Sequence, residues 1–335
     1  MVRDWLAFRD DIQFVRLPFA ARIRPLRIIV EQSVLPFYVA QKDIDVLWSP
    51  GYTAPFFLSC PGVVTVCDLQ YKTYPEDMGC FARITFDLLI KAACRSSRSI
   101  VAISEFSKQE IIRNRFAKKE EIHTIHLGVD QSFARKICQK EADALLSNYF
   151  DYLKPYILCV AHTYPHKNLD LLVETFVTIE QDLNYNLVLV GKPRRGEEKL
   201  RAAVEDLVNP SRFVRLKEVP YRTLQGIYQH ADMFVFTSAY EGFGLPVIEA
   251  MMARVPVLCS KNGSLREIAG PGAFIFDSLD IESIAEKIRF VNSLSPEQKR
   301  KKLEEAQAWA MGFEWQQSAR KMVRVLEKAI RPVLG

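Results

Sequence analysis

The chain has 335 residues, 49% of them hydrophobic and 25% charged, with 45 Lys and Arg against 40 Asp and Glu and a formal charge of +5. That usage is globular; it excludes a disordered or fibrous chain, and the length favours two domains. No apolar run reaches the ~18 residues that span a bilayer, and Asp4, Asp10 and Asp11 exclude a secretory or transit signal, so a cytoplasmic protein is expected.

Strands are expected in the first half at 12–17, 44–48, 62–67, 99–103 and 121–127, with helices at 79–97 and 105–115. The mixed segment 130–150 reads as a connection that closes a first domain over 1–150. From there the alternation is regular. Short, wholly apolar strands at 156–161, 186–191, 212–216, 232–236, 255–259 and 273–276 alternate with helix-period segments at 168–181, 197–208, 221–230, 245–254, 264–269 and 280–293. This is the pattern of a parallel sheet covered on both faces, so 151–315 reads as a doubly wound α/β domain. Two such domains leave a cleft beyond the carboxyl ends of their strands.

The cysteines form no C-x-x-C and the histidines no H-E-x-x-H, so neither a disulfide framework nor a protein-bound metal is expected. The main candidate site is Tyr240-Glu241-Gly242-Phe243-Gly244-Leu245-Pro246, between a buried strand and a helix start. The glycines let backbone approach a ligand closely, and the free amides and dipole of the helix start favour an anion. Glu241 precedes that start and Glu249 lies about one turn inside it, placed to accept hydrogen bonds from sugar hydroxyls. The bland alternative is a strand–loop–helix corner with two solvated acids. Pro165-His166-Lys167-Asn168 follows strand 156–161; Lys167 there is a point charge for phosphate, against the alternative of an exposed lysine, and His166 by itself decides nothing. Asp68 ends strand 62–67 at a tip that faces the cleft, and Ser104 and Ser107 read as helix capping rather than catalysis.

The stretch from 232 to 277 closely resembles the retaining nucleotide-sugar glycosyltransferases of family 4, whose fold is called GT-B. Their two glutamates separated by seven residues are matched by Glu241 and Glu249, and the resemblance continues through VAHTYPHKNLDLL, LVLVGK, VAISEFSK, IHLGVD and VTVCDLQYKTYP. It implies two Rossmann-like domains, with 316–335 crossing back to the first, and transfer of a hexose from a nucleotide diphosphate sugar to a glycan or lipid-linked acceptor with retention. GDP-mannose is the donor that the resemblance suggests. It also implies that Glu249 holds the ribose, that Glu241 contacts the donor sugar, and that the amides of Gly242, Phe243, Gly244 and Leu245 bind the diphosphate with Lys167 and His166. Asp68 would lie near the reacting sugar. In that scheme the departing phosphate takes the acceptor's proton and no metal or other cofactor is needed.

Three departures from the family pattern stand out. The first glycine is Gly51, so the usual opening strand and glycine-rich loop are not found and the first domain reads as incomplete. Cys67 stands where relatives often have His, and His166 where many have Arg. The first two motivate, as the rival reading, a silent relative that binds nucleotide or a protein partner. A dinucleotide oxidoreductase is excluded because no G-x-G-x-x-G occurs. Residues 83–119 hold nine basic side chains against three acids, and Arg83, Lys91 and Arg95 fall at multiples of four. This suggests peripheral contact with anionic lipid at the inner face of the membrane, against a solvated helix; no nucleic-acid motif accompanies the charge.

Overall fold

The computed structural model describes residues 11–15 and 24–331. Its architecture is two parallel α/β sheets facing one cleft. The first sheet sets β1 (Leu47–Ser49), β2 (Gly62–Val66), β3 (Ser99–Ala102) and β4 (Ile122–Thr124) side by side in chain order. Successive strand residues point to opposite faces, and that alternation sorts the packing. Val64, Val66, Ile100 and Ala102 pack with Ile90, Ala93 and Cys94 of the helix Cys80–Ser96 and with Ile111 of the helix Glu105–Arg113. Val63 and Val101 point the other way and are covered by Met322, Val325 and Ala329 of the last helix, Trp315–Ile330, which crosses back from the second domain.

The second sheet contains β5 (Tyr156–Val160), β6 (Asn186–Val190), β7 (Phe213–Leu216), β8 (Met233–Phe236), β9 (Val257–Cys259) and β10 (Phe274–Ile275). Its spatial order is β10-β9-β8-β5-β6-β7, all parallel, so the winding reverses between β5 and β8. Loops that leave those two adjacent strands diverge to opposite faces, opening a crevice at their carboxyl ends. The helices match the apolar periodicity, and Asp280 caps the helix Ile281–Ser293 by accepting from the Ser283 amide.

Two expectations are corrected. Residues 12–15 are irregular and 16–17 lie outside the described residues; in the described sheet β1 is the edge, and nothing there pairs with residues 12–15 as a ladder. The segment 130–150 is more than a connection. Phe133, Ile137, Ala142 and Leu146 are buried in the second domain's core, and its helix Gln139–Leu146 lies on the helix Tyr221–Gln229. The backbone of Gly226 comes so close that a Cβ there would meet Leu146 Cδ2 at 3.2 Å.

Candidate active site

The switch point carries the chemistry. Pro165–Lys167, after β5, forms a single 3-10 turn that ends at Asn168 in the left-handed region, with φ 49°. This turn aims Lys167 across the crevice, where its ammonium pairs with the carboxylate of Glu241 on the loop after β8. Both side chains are nearly buried, and the Thr237 hydroxyl holds the Lys167 carbonyl at 2.8 Å. Gly263, at φ +60°, lets the loop after β9 lie against Glu241; a Cβ there would stand 2.8 Å from the Glu241 backbone. The Ser264 amide donates to the Glu241 carbonyl at 3.2 Å, and its hydroxyl to the Phe243 carbonyl at 2.8 Å. The acidic loop is therefore held from behind, not left to solvent.

Asp68 enters from the opposite domain. It is partly buried, and that burial raises its carboxyl above the usual range, opposed by the Gln70 amide that donates to Oδ1 at 3.1 Å. Glu241 adds to the rise and Lys167 counters it, so the three expected residues form one electrostatic cluster across the cleft. Ser104 caps the helix Glu105–Arg113, accepting from the Ser107 amide at 3.0 Å. Ser107 does more than cap: its hydroxyl reaches the Cys67 carbonyl at 2.6 Å and the Gly242 carbonyl at 3.3 Å. Cys67 thus acts through its backbone, while burial pushes its thiol up and keeps it protonated.

A cavity of about 680 Å³ opens from this cluster along the carboxyl edge of the second sheet. Lys167 and Glu241 line it, with Lys192 and Arg194 after β6 and Glu218 after β7. Its apolar walls are Val160, Val190, Val219 and Leu224. The volume lies within the range of small-molecule sites. Sequence reasoning did not single out the β6 and β7 residues, although each directly follows a strand tip, which is the signal that marks this edge.

Several expected residues stand elsewhere. Gly242 and Phe243 are buried against the first domain and Gly244 against Leu265 of the second, and they and Leu245 are not among the cavity's walls. Phe243 packs against His126 and Phe313, and Gly244, at φ +101°, opens the helix Leu245–Met252. Glu249, inside that helix, accepts from the Tyr228 hydroxyl at 3.0 Å, and burial raises its carboxyl. His166 does line the cavity, but as an interdomain joint. The Gln70 carboxamide lies 3.0 Å from its Nδ1 and also donates to Asp77 at 2.9 Å, while Tyr74 and Tyr164 flank the ring. Burial, assisted by Lys167, drops the imidazole to about 3, so it is neutral at physiological pH and carries no charge for phosphate.

Comparison with known proteins bears on the family and the fold. Residues 149–308 match the family model described as glycosyl transferases group 1, and residues 3–133 the model described as glycosyltransferase family 4. The O-antigen chain mannosyltransferase B of Escherichia coli is 29% identical over 241 residues, 71% of this chain and 63% of that protein. The O-antigen chain mannosyltransferase RfbU of Salmonella typhimurium is 27% identical over 276 residues, 82% of this chain and 73% of that protein. The chain thus spans less than two thirds of the first relative's length. Among solved structures, a glycosyltransferase from Rickettsia africae superposes with a TM-score of 0.75 at 17% identity, covering 98% of this chain and 87% of that one.

Proposed function

The chain belongs to the glycosyltransferases of family 4, with the two-domain GT-B architecture, and on that premise we propose that it transfers a hexose from a nucleotide diphosphate sugar. The acceptor is a glycan or a lipid-linked glycan, and the names of the curated relatives favour mannose as the sugar. The observation that carries this reading is the Lys167–Glu241 pair at the switch point, with Asp68 of the other domain facing it.

In this reading Lys167 meets the charge that develops on the departing diphosphate, the place where fixed positive charge lowers the barrier most. Glu241 then exchanges its ammonium partner for hydroxyls of the donor sugar. The bond between the anomeric carbon and the phosphate oxygen breaks, the acceptor oxygen bonds to that carbon on the same face, and the departing phosphate takes the acceptor's proton. Asp68, protonation-prone through burial, orients the sugar from the other wall. Glu249 holds the ribose in place of water, keeping Tyr228 as its second partner. No protein-held metal enters this scheme.

The lipid-facing expectation takes a more definite form in three dimensions. Phe81, Ile84 and Leu88 form an exposed stripe on the helix Cys80–Ser96, with Phe81 85% and Leu88 61% accessible, and Lys91 and Arg95 continue the same line. Arg83 stands about 80–120° around the helix from those two. An apolar stripe that runs into cations suits the interface of an anionic bilayer. Among the described residues no helix is long and apolar enough to cross a membrane.

Incubating the purified chain with nucleotide diphosphate sugars and a lipid-linked glycan tests the assignment. Released nucleoside diphosphate with a matching α- or β-linked product is the expected result, its anomer the same as the donor's. A folded chain that binds no nucleoside diphosphate at millimolar concentration overturns the reading.

A further inference from the structure

The cavity beyond Lys167 ends in a pair of opposite charges. Lys192 Nζ lies 2.9 Å from Glu218 Oε1, one side chain from the tip of β6 and the other from the tip of β7. The pair's backbone is held, not floppy. The Lys192 amide donates to His162 Nδ1 at 3.0 Å, and the Thr163 amide reaches the Lys192 carbonyl at 3.3 Å. Gly191, at φ +154°, passes so close to the β5 loop that a Cβ would fall 2.0 Å from the Ala161 carbonyl oxygen. Strand order sets the distance. Lys167 follows β5, and β6 and β7 lie one and two strands further along the edge, so Glu218 is displaced by about 10 Å from the phosphate position. A nucleoside extends from its phosphates over such a span, and Val219 and Leu224 give its flat ring an apolar wall there.

We infer that Lys192 and Glu218 read the nucleobase and select guanine, which rests on the donor site proposed above. Guanine's pairing edge carries one acceptor, O6, beside two donors, N1–H and the N2 amino group. An ammonium next to a carboxylate is its complement: Lys192 takes O6 while both oxygens of Glu218 are satisfied by N1–H and N2–H. Uracil offers a single donor flanked by two carbonyls, which sets O2 against the carboxylate. Adenine offers one donor beside a lone pair. Either sets a carboxylate oxygen against a base lone pair, and that mismatch costs affinity. Binding the base also replaces the Lys192–Glu218 pairing with partners of the same polarity, so the exchange leaves neither charge unpaired.

Titration of the purified chain with GDP, UDP and ADP, repeated with Glu218→Gln and Lys192→Met, tests this. The wild-type chain is expected to bind GDP at least about tenfold more tightly than UDP or ADP. Glu218→Gln, whose amide presents a donor where guanine does too, is expected to lose that preference while UDP affinity stays within about twofold. Lys192→Met is expected to weaken GDP in the same direction. Glu218 is 72% exposed, so its replacement leaves the core intact, and an unchanged thermal midpoint checks this. A GDP preference that survives in Glu218→Gln, or a wild-type chain that prefers UDP or ADP, overturns the inference and leaves the transferase reading standing. Failure of the wild-type chain to bind any of the three removes both.

Discussion

Gly242 of the second domain lies so close to Asp68 of the first that a Cβ built on it would stand 2.9 Å from Asp68 Oδ2 and 2.9 Å from the Cys67 carbonyl oxygen. Contact this tight brings two acidic groups from different sheets, Asp68 and Glu241, within electrostatic reach of each other across the cleft. The Leu69 amide donating to the Tyr240 hydroxyl at 3.2 Å closes the same seam. Glu267 adds a third stitch by accepting from the Glu105 amide at 3.2 Å.

Gly242→Ala therefore acts as a wedge. The added methyl meets backbone and the short Asp68 side chain rather than the end of a flexible one, so the domains must part by a few tenths of an ångström or more. Turnover is expected to fall about a hundredfold, the scale for a misplaced reacting group, with nucleotide affinity nearly unchanged. Full activity in this variant would show that the seam has no part in the reaction.

Replacing Lys167 with Met keeps the aliphatic stem and removes the charge. The rate of sugar transfer is expected to drop about 10²–10³-fold, measured as nucleoside diphosphate release under saturating donor. Glu241→Gln should be less severe for nucleotide binding than for transfer, because Glu241 is assigned to the sugar. Equal losses in both quantities would move Glu241 to the nucleotide.

Glu249 has a structural and a binding duty that two variants separate. Glu249→Ala leaves the buried Tyr228 hydroxyl without its partner and is expected to cost about 1–3 kcal/mol of stability. Glu249→Gln can still accept from Tyr228 and should keep the fold. Nucleotide affinity is nonetheless expected to weaken about tenfold or more in the Gln variant, since a ribose bonded to a carboxylate is held more tightly than one bonded to an amide. Calorimetric titration at constant thermal midpoint reads the difference.

His166 makes the joint between the domains acid-sensitive. Its folded pKa of about 3 lies below the ~6.5 of an unfolded histidine, so the unfolded chain binds the extra proton first and stability falls as pH drops through that window. By pH 5 the loss from this one residue is about 2 kcal/mol. Denaturant unfolding at pH 7 and pH 5 should show that loss in the wild-type chain and a smaller one in His166→Gln. The two curves shifting alike would mean that the joint takes up its proton without opening.

The stripe on the helix Cys80–Ser96 makes a separable prediction. Vesicles with anionic headgroups should retain the chain, with retention falling as salt rises. Lys91→Glu with Arg95→Glu is expected to abolish the salt-sensitive part, and Phe81→Ser with Leu88→Ser the residual part. Binding that is absent, or unchanged in both variants, would return this face to solvent.

Much of this protein is written locally in its sequence. The apolar strands, the helices between them and the Asp280 cap follow from period and propensity, which act over a few residues; the strand–loop–helix setting of Glu241 and Glu249 follows the same way. Those features needed no knowledge of distant contacts, and the resemblance to family 4 rests on them. What only the tertiary structure decided is where those elements meet. His166 and Lys167 are neighbours in sequence, yet one turns into a neutral joint between domains and the other points into the cleft, because the 3-10 turn at Pro165–Lys167 sends their side chains to different partners. The segment 130–150 reads locally as a connection because its apolar residues find their core only once the helix Tyr221–Gln229 lies against it. Lys192 and Glu218 are 26 positions apart and become a pair only when the sheet sets β6 beside β7. Strand order is a property of the whole sheet, won by burying every apolar face at once, and no local window of the chain contains it.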